Sequence, residues 1–320
     1  MSRIHEALKK AAEERSSRLA SGAPIDFVDV AADVTRTTVA EREAALMPQP
    51  DQPSAQLQPD APPAPRKEND LSRLKLNELI KRCAHPVWKP DPRSSVFHGA
   101  DHHRIGAERF RTLRSRLYQI ASAQKLKTVL ITSSIPAEGK TFVAANLAQS
   151  IVRQHDRSVL LIDADLRASR LHQAMGASLT PGLTDYLRGE ADEFEVIQKG
   201  SDANLCFIPG GNPVSNPSEL LLVDRFKRLL ELATPLFDWV ILDSPPALPV
   251  HDASMLADLC DGVLFVVRAG QTAYDMAEKA ASEFQDKNLL GVVLNCVEKG
   301  DSYGGYYYGY PLEKDPRNED

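Results

Sequence analysis

Cysteine is scarce: Cys83, Cys206, Cys260 and Cys296 are the only four in 320 residues, and they lack metal-type spacing. They read as reduced core or surface thiols. Long hydrophobic runs are missing too. None reaches the roughly 18 residues of a membrane span, and the N-terminus lacks the apolar block of a signal peptide, so a cytoplasmic chain is expected. Clustered positive charge is also absent. With a formal net charge of -6 and no run of Lys and Arg, nothing provides the basic field that nucleic acid requires, and no nucleic-acid partner is expected. His102 and His103 are adjacent but have no companion ligands, and they read as solvated. The hydrophobic share of 42% is enough for a sizeable core.

Composition divides the chain. Residues 1–46 form a helical or flexible N-terminal segment, in which 1–20 has an amphipathic pattern: Ile4, Leu8, Ala11 and Ala12 on one side, Lys9, Lys10, Glu13 and Arg15 elsewhere. Its apolar face is narrow, which leaves partner docking and simple solvation both open. Residues 47–70 read as an extended linker, with Pro48, Pro50, Pro53, Pro59, Pro62, Pro63 and Pro65 among Gln, Asp and Ala. Residues 71–300 form the folded domain and 301–320 a tail. Within the domain, apolar strand candidates at 129–132, 159–162, 205–208, 240–242, 263–267 and 292–294 alternate with helical segments. Continuously apolar strands predict an α/β fold, a mostly parallel sheet covered by helices on both faces. Ligands on such a sheet sit beyond the C-terminal strand ends.

Three strand ends carry chemistry. The first runs into Ser133-Ser134-Ile135-Pro136-Ala137-Glu138-Gly139-Lys140-Thr141 and then a helix opening at Phe142. In this phosphate-binding arrangement, the P-loop, N–H groups surround phosphate oxygens, Lys140 bridges the β and γ phosphates, and the Thr141 hydroxyl ligates magnesium. Ser134 replaces the first glycine of the usual pattern. The second end, Ile162-Asp163-Ala164-Asp165-Leu166-Arg167, places two carboxylates on one side with an arginine two positions on. Alone it also allows a solvated loop with a capping Asp; after a strand in a P-loop domain it points to magnesium and catalysis. The third, Leu242-Asp243-Ser244-Pro245-Pro246, ends in the single acid expected to hold magnesium.

Together these motifs resemble the bacterial tyrosine kinases of exopolysaccharide and capsule assembly, members of the partition-type ATPase superfamily. The resemblance covers about residues 100–312 and extends to Pro181-Gly182-Leu183-Thr184, Asn216-Pro217-Ser218-Glu219-Leu220-Leu221, Asp252-Ala253, Val267-Arg268 and Gly291-Val292-Val293-Leu294-Asn295. The segment from Met1 to Lys10 with the proline-rich spacer resembles the subgroup found with exosortase-linked loci. The resemblance implies ATP and Mg2+ as cofactors. It implies Lys140, Asp163 and Asp165 in catalysis, and Thr141, Asp163 and Asp243 on the metal. Ser134, Pro136, Ala137, Glu138, Gly139, Lys140, Thr141, Phe142, Arg167 and Asn295 line the nucleotide, with Asn295 a candidate for base contact. Ala137 departs from the family, which commonly has glycine there, and alanine resists positive φ.

Five of the eight tyrosines, Tyr303, Tyr306, Tyr307, Tyr308 and Tyr310, lie near the C-terminus among glycines. Alone they suit a disordered tail; beside the kinase motifs they become phosphoacceptors. From Cys296 to Tyr306 the chain spans roughly 33 Å, enough to reach a neighbouring subunit. Glu108, Arg111 and Arg114 share a helical face. By composition this is an ordinary charged face, but the resemblance implies that it joins subunits into a ring. It also implies a separate inner-membrane chain-length or co-polymerase protein as activator, peripheral attachment to that membrane through it, and a tyrosine phosphatase. A partition-type ATPase switch without kinase activity and an inactive scaffold are the alternative readings.

Overall fold

In a computed structural model, residues 67–97, 104–154, 156–200 and 204–297 are described. The amphipathic pattern at 1–20, His102 and His103, and the tyrosines of 301–320 lie outside them. Seven strands form one sheet: β1 (Thr128–Ser133), β2 (Val159–Asp163), β3 (Gln198–Lys199), β4 (Leu205–Ile208), β5 (Trp239–Asp243), β6 (Gly262–Arg268) and β7 (Leu289–Asn295). The spatial order is β3-β4-β2-β5-β1-β6-β7. Every pairing is parallel except β3 against β4. The six expected strands are all present. The additional one, β3, is two residues long and has no apolar run to announce it.

Ten helices accompany the sheet among the described residues: α1 (Lys67–Arg82), α2 (Arg104–Ala123), α3 (Lys140–Val152), α4 (Leu171–Met175), α5 (Leu183–Arg188), α6 (Glu193–Val196), α7 (Pro217–Leu221), α8 (Asp224–Ala233), α9 (Asp252–Ala257) and α10 (Tyr274–Ser282). α1 begins within the 47–70 segment read as linker.

Strand alternation divides the core into two layers. Leu130, Leu160, Ile162, Val240, Leu242 and Phe265 face one side, where α8, α9 and α10 contribute Phe226, Leu256 and Ala280. Val129, Ile131, Leu161, Ile241 and Val266 face the other, where α2 and α3 contribute Phe110, Leu117 and Leu147. Burying both strand faces explains why these sequences are continuously apolar; each fully buried large side chain contributes about 1.5–3 kcal/mol of transfer free energy.

The connections diverge at β1. From β1 the chain crosses to β2 on one flank, and from β5 it crosses to β6 on the other. A crevice between diverging loops at the carboxyl ends is where such sheets bind ligands. Register brings the motifs level: Asp163 pairs with Asp243, Ile131 with Asp243, and Arg268 with Asn295.

Candidate functional site

The loop between β1 and α3 is shaped by two left-handed residues, Ala137 at φ 67° and Gly139 at φ 93°. Gly139 is required twice over, since a Cβ there would also lie 2.0 Å from Asn295 Nδ2. It caps α3, so Lys140 and Thr141 occupy the first turn, at the positive end of the helix dipole. Phe142 turns the other way and packs edge-on against Phe110, with centroids 5.9 Å apart. Ser134 is buried, its hydroxyl without a hydrogen-bond partner.

Lys140 Nζ donates to Asp165 Oδ2 at 2.8 Å and lies 3.4 Å from Thr141 Oγ1. Burial alone would lower its pKa, but the carboxylates of Asp243 and Asp165 outweigh burial and raise it, so the ammonium is held charged. Asp163 is fully buried. Its Oδ2 accepts from Ser169 Oγ at 2.7 Å and from Leu171 N at 3.1 Å, while Oδ1 accepts from Asp165 N at 3.3 Å. Burial, reinforced by Asp243, pushes its pKa up to about 7. Burial likewise pushes Asp243 up to about 6, opposed by Lys140 and the Thr141 hydroxyl.

Asp243 is buried with neither carboxylate oxygen in a geometrically sound hydrogen bond. Two orphaned carboxylate oxygens beside a threonine hydroxyl are a fit for a hard divalent cation such as magnesium. Among the described residues no three His, Cys, Asp or Glu side chains form a self-sufficient metal cluster. That donor set suits magnesium, which is usually held by one or two carboxylates together with phosphate oxygens.

Two nominated residues are committed elsewhere. Arg167 Nε donates to Asp252 Oδ2 at 2.8 Å and its Nη2 to Ser218 Oγ at 2.8 Å; the Asp252 bond, partly offset by burial, raises the guanidinium pKa. Arg167 therefore braces the Asp163–Asp165 turn against the starts of α7 and α9. Its partners, Ser218 and Asp252, sat unassigned in the two family phrases that contain them. Asn295 Nδ2 donates to the Glu138 carbonyl at 2.9 Å, so its amide supports the loop, while its Oδ1 is buried without a partner. Pro136 and Ala137 are exposed at the loop's crest and Glu138 is buried beneath it.

Glu108, Arg111 and Arg114 lie on α2. Glu108 and Arg111 pair within one turn, each half exposed. Arg114 Nη1 instead donates to Ser150 O near the end of α3, at 2.5 Å. All four cysteines are free thiols, two buried and two partly so.

A family profile described as an AAA domain matches residues 127–285. The chain is 36% identical over 209 residues to the Bacillus subtilis protein named tyrosine-protein kinase YwqD, covering 64% of this chain and 87% of that one. It is 34% identical over 217 residues to tyrosine-protein kinase wzc of Salmonella typhimurium, covering 67% of this chain but only 30% of the relative. Among solved structures, the kinase domain of the Escherichia coli tyrosine kinase ETK matches with a TM-score of 0.58 at 36% identity, covering 64% of this chain and 80% of that domain.

Proposed function

The chain belongs to the bacterial tyrosine-protein kinase family, and on that premise we propose that it transfers the γ-phosphoryl group of ATP to the tyrosine cluster of its own C-terminal tail. The observation that carries this reading is the convergence of Lys140, Asp163, Asp165 and the unpartnered Asp243 carboxylate at adjacent strand ends. Five tyrosines on a short tether complete it. Tethering supplies effective concentrations in roughly the millimolar range, which removes the need for a peptide-binding groove.

Lys140, with three donors of which Asp165 engages one, meets β- and γ-phosphate oxygens while the N–H groups at the start of α3 receive the rest. Thr141 and Asp243, with Asp163 beside them at the paired strand end, would hold magnesium together with the nucleotide. Magnesium neutralises charge on the transferring group when bound. The tyrosine Oη forms a bond to the γ phosphorus as the bond from that phosphorus to the bridging oxygen breaks and ADP leaves. Asp163 takes the phenolic proton; its three donors fix its orientation, whereas Asp165 is engaged by Lys140.

Transfer occurs between subunits of a ring joined through α2. A separate inner-membrane co-polymerase protein recruits and activates the kinase, a phosphatase resets it, and the cycle regulates polymerisation or export of an extracellular polysaccharide. The residue boundaries 1–46, 47–70, 71–300 and 301–320 describe this division of labour.

Intact-mass spectrometry after addition of Mg-ATP tests the reading. Serial gains of about 80 Da per phosphoryl group are expected, lost in Lys140→Met and in the five-fold Tyr→Phe tail. ADP release without added mass would replace it with an ATPase switch, and neither signal with a scaffold.

A further inference from the structure

Three of the P-loop's supports come from the flank of β1 opposite to the catalytic carboxylates. Asp163 and Asp243 end β2 and β5 on one side, with Asp165 just beyond β2. On the other, β6 and β7 end level at Arg268 and Asn295, and both, with Thr272 just beyond β6, turn onto one loop residue. Glu138 is 2% exposed. Its Oε2 accepts from Ile135 N at 2.7 Å, closing a bond across the loop. Its Oε1 accepts from Thr272 Oγ1 at 2.5 Å and from Arg268 N at 3.4 Å. Its main-chain carbonyl accepts from Asn295 Nδ2 at 2.9 Å. The preceding carbonyl, that of Ala137, accepts from Arg268 Nη1 at 3.3 Å.

These contacts surround a backbone that resists its own shape. Ala137 at φ 67° carries a Cβ in the left-handed region, which alanine enters only at a cost. A glycine would relieve the strain; in this chain, external bonds must oppose it. We infer that Glu138 is a positioning residue: its buried carboxylate and carbonyl clamp the phosphate loop to the ends of β6 and β7, holding the bend at Ala137 ready for nucleotide. The inference rests on the nucleotide-site reading above and adds a role that the P-loop pattern does not assign. Where the clamp fails, the bend is only partly populated and apparent affinity falls by that fraction.

The test is a fluorescence titration of the full chain with mant-ADP and magnesium, with thermal melts as the folding control. Native protein must bind; if it does not, the nucleotide-site reading falls and this inference with it. Given native binding, Glu138→Ala is expected to bind about tenfold more weakly or worse, as loss of a buried charge-assisted acceptor implies. Glu138→Gln falls between, because it keeps an acceptor for Ile135 N but sets an amide against the Arg268 N–H. Ala137→Gly is expected to change affinity more in the Glu138→Ala background, where the bend is depopulated and much of the loss is recovered, than in the native chain. That unequal rescue is a readout that general loosening would not produce. Should Glu138→Ala not fold, Thr272→Val removes one donor at constant shape and is expected to weaken binding severalfold. Native-like binding by the Glu138 and Thr272 variants, or an equal effect of Ala137→Gly in both backgrounds, overturns the inference.

Discussion

Asp243 and Asp163 show how a residue can be costly to the fold and useful to the site. In the unfolded chain both titrate near 3.8, but burial raises them to about 6 and about 7 in the folded chain. A carboxyl with a raised folded-state pKa contributes stability when protonated, and that stability is lost as pH rises from the unfolded value through the folded one. Metal-free, nucleotide-free protein is therefore expected to lose stability between about pH 4 and pH 7 through these two groups. Asp243→Asn removes one buried charge. Without magnesium it should melt about 2–4 °C above the native chain at pH 8, the shift that ~1 kcal/mol makes in a fold of this size, and the difference should vanish near pH 4. Calorimetry at the two pH values checks this, and an unchanged or lowered melting point at pH 8 contradicts it.

The strand-end acids and Lys140-Thr141 were legible because each motif is continuous in sequence and follows an apolar run. The functions of Glu138 and Asn295 were not. Thr272 and Asn295 lie 134 and 157 positions from Glu138, and only the pairing of β1 with β6 and of β6 with β7 brings them together. Ala137 was an intermediate case: its departure from glycine was visible, and the observed φ shows that the position does demand a left-handed residue.

At the scale of elements, the charged residues of α2 are of two kinds. Glu108 and Arg111 are half exposed and satisfy each other within one turn, so replacing both by alanine should change stability by no more than about 1 kcal/mol. Arg114 differs, because its guanidinium holds the carbonyl of Ser150 on the neighbouring helix, and Arg114→Ala should cost about 1 kcal/mol or more. If α2 joins subunits, Glu108→Ala with Arg111→Ala should be folded yet monomeric by mass photometry. A double variant that assembles like the native chain contradicts that role. Sequence spacing placed these three residues on one face, but it could not reveal that Arg114 is bonded inside its own subunit. The sheet was similarly legible where strands are buried on both faces, and not at β3, whose two residues carry no periodic signal.

At the scale of the whole molecule, charge gives the proposed cycle its end point. Five phosphotyrosines add roughly -8 to -10 to the tail, and that charge must approach a site built from Asp163, Asp165 and Asp243. Repulsion should expel a modified tail, so mass photometry is expected to show assemblies dissociating as phosphate accumulates and re-forming after phosphatase treatment. Assemblies indifferent to phosphorylation would contradict a self-limiting switch.

The most direct test mixes two disabled chains: Lys140→Met, which keeps its tyrosines, and the five-fold Tyr→Phe variant, which keeps its site. With Mg-ATP, phosphate is predicted to appear on the Lys140→Met chain, at tail tyrosines, only when both are present. An unmodified Lys140→Met chain in that mixture, while the native protein phosphorylates itself, would contradict transfer from this site to a neighbour's tail.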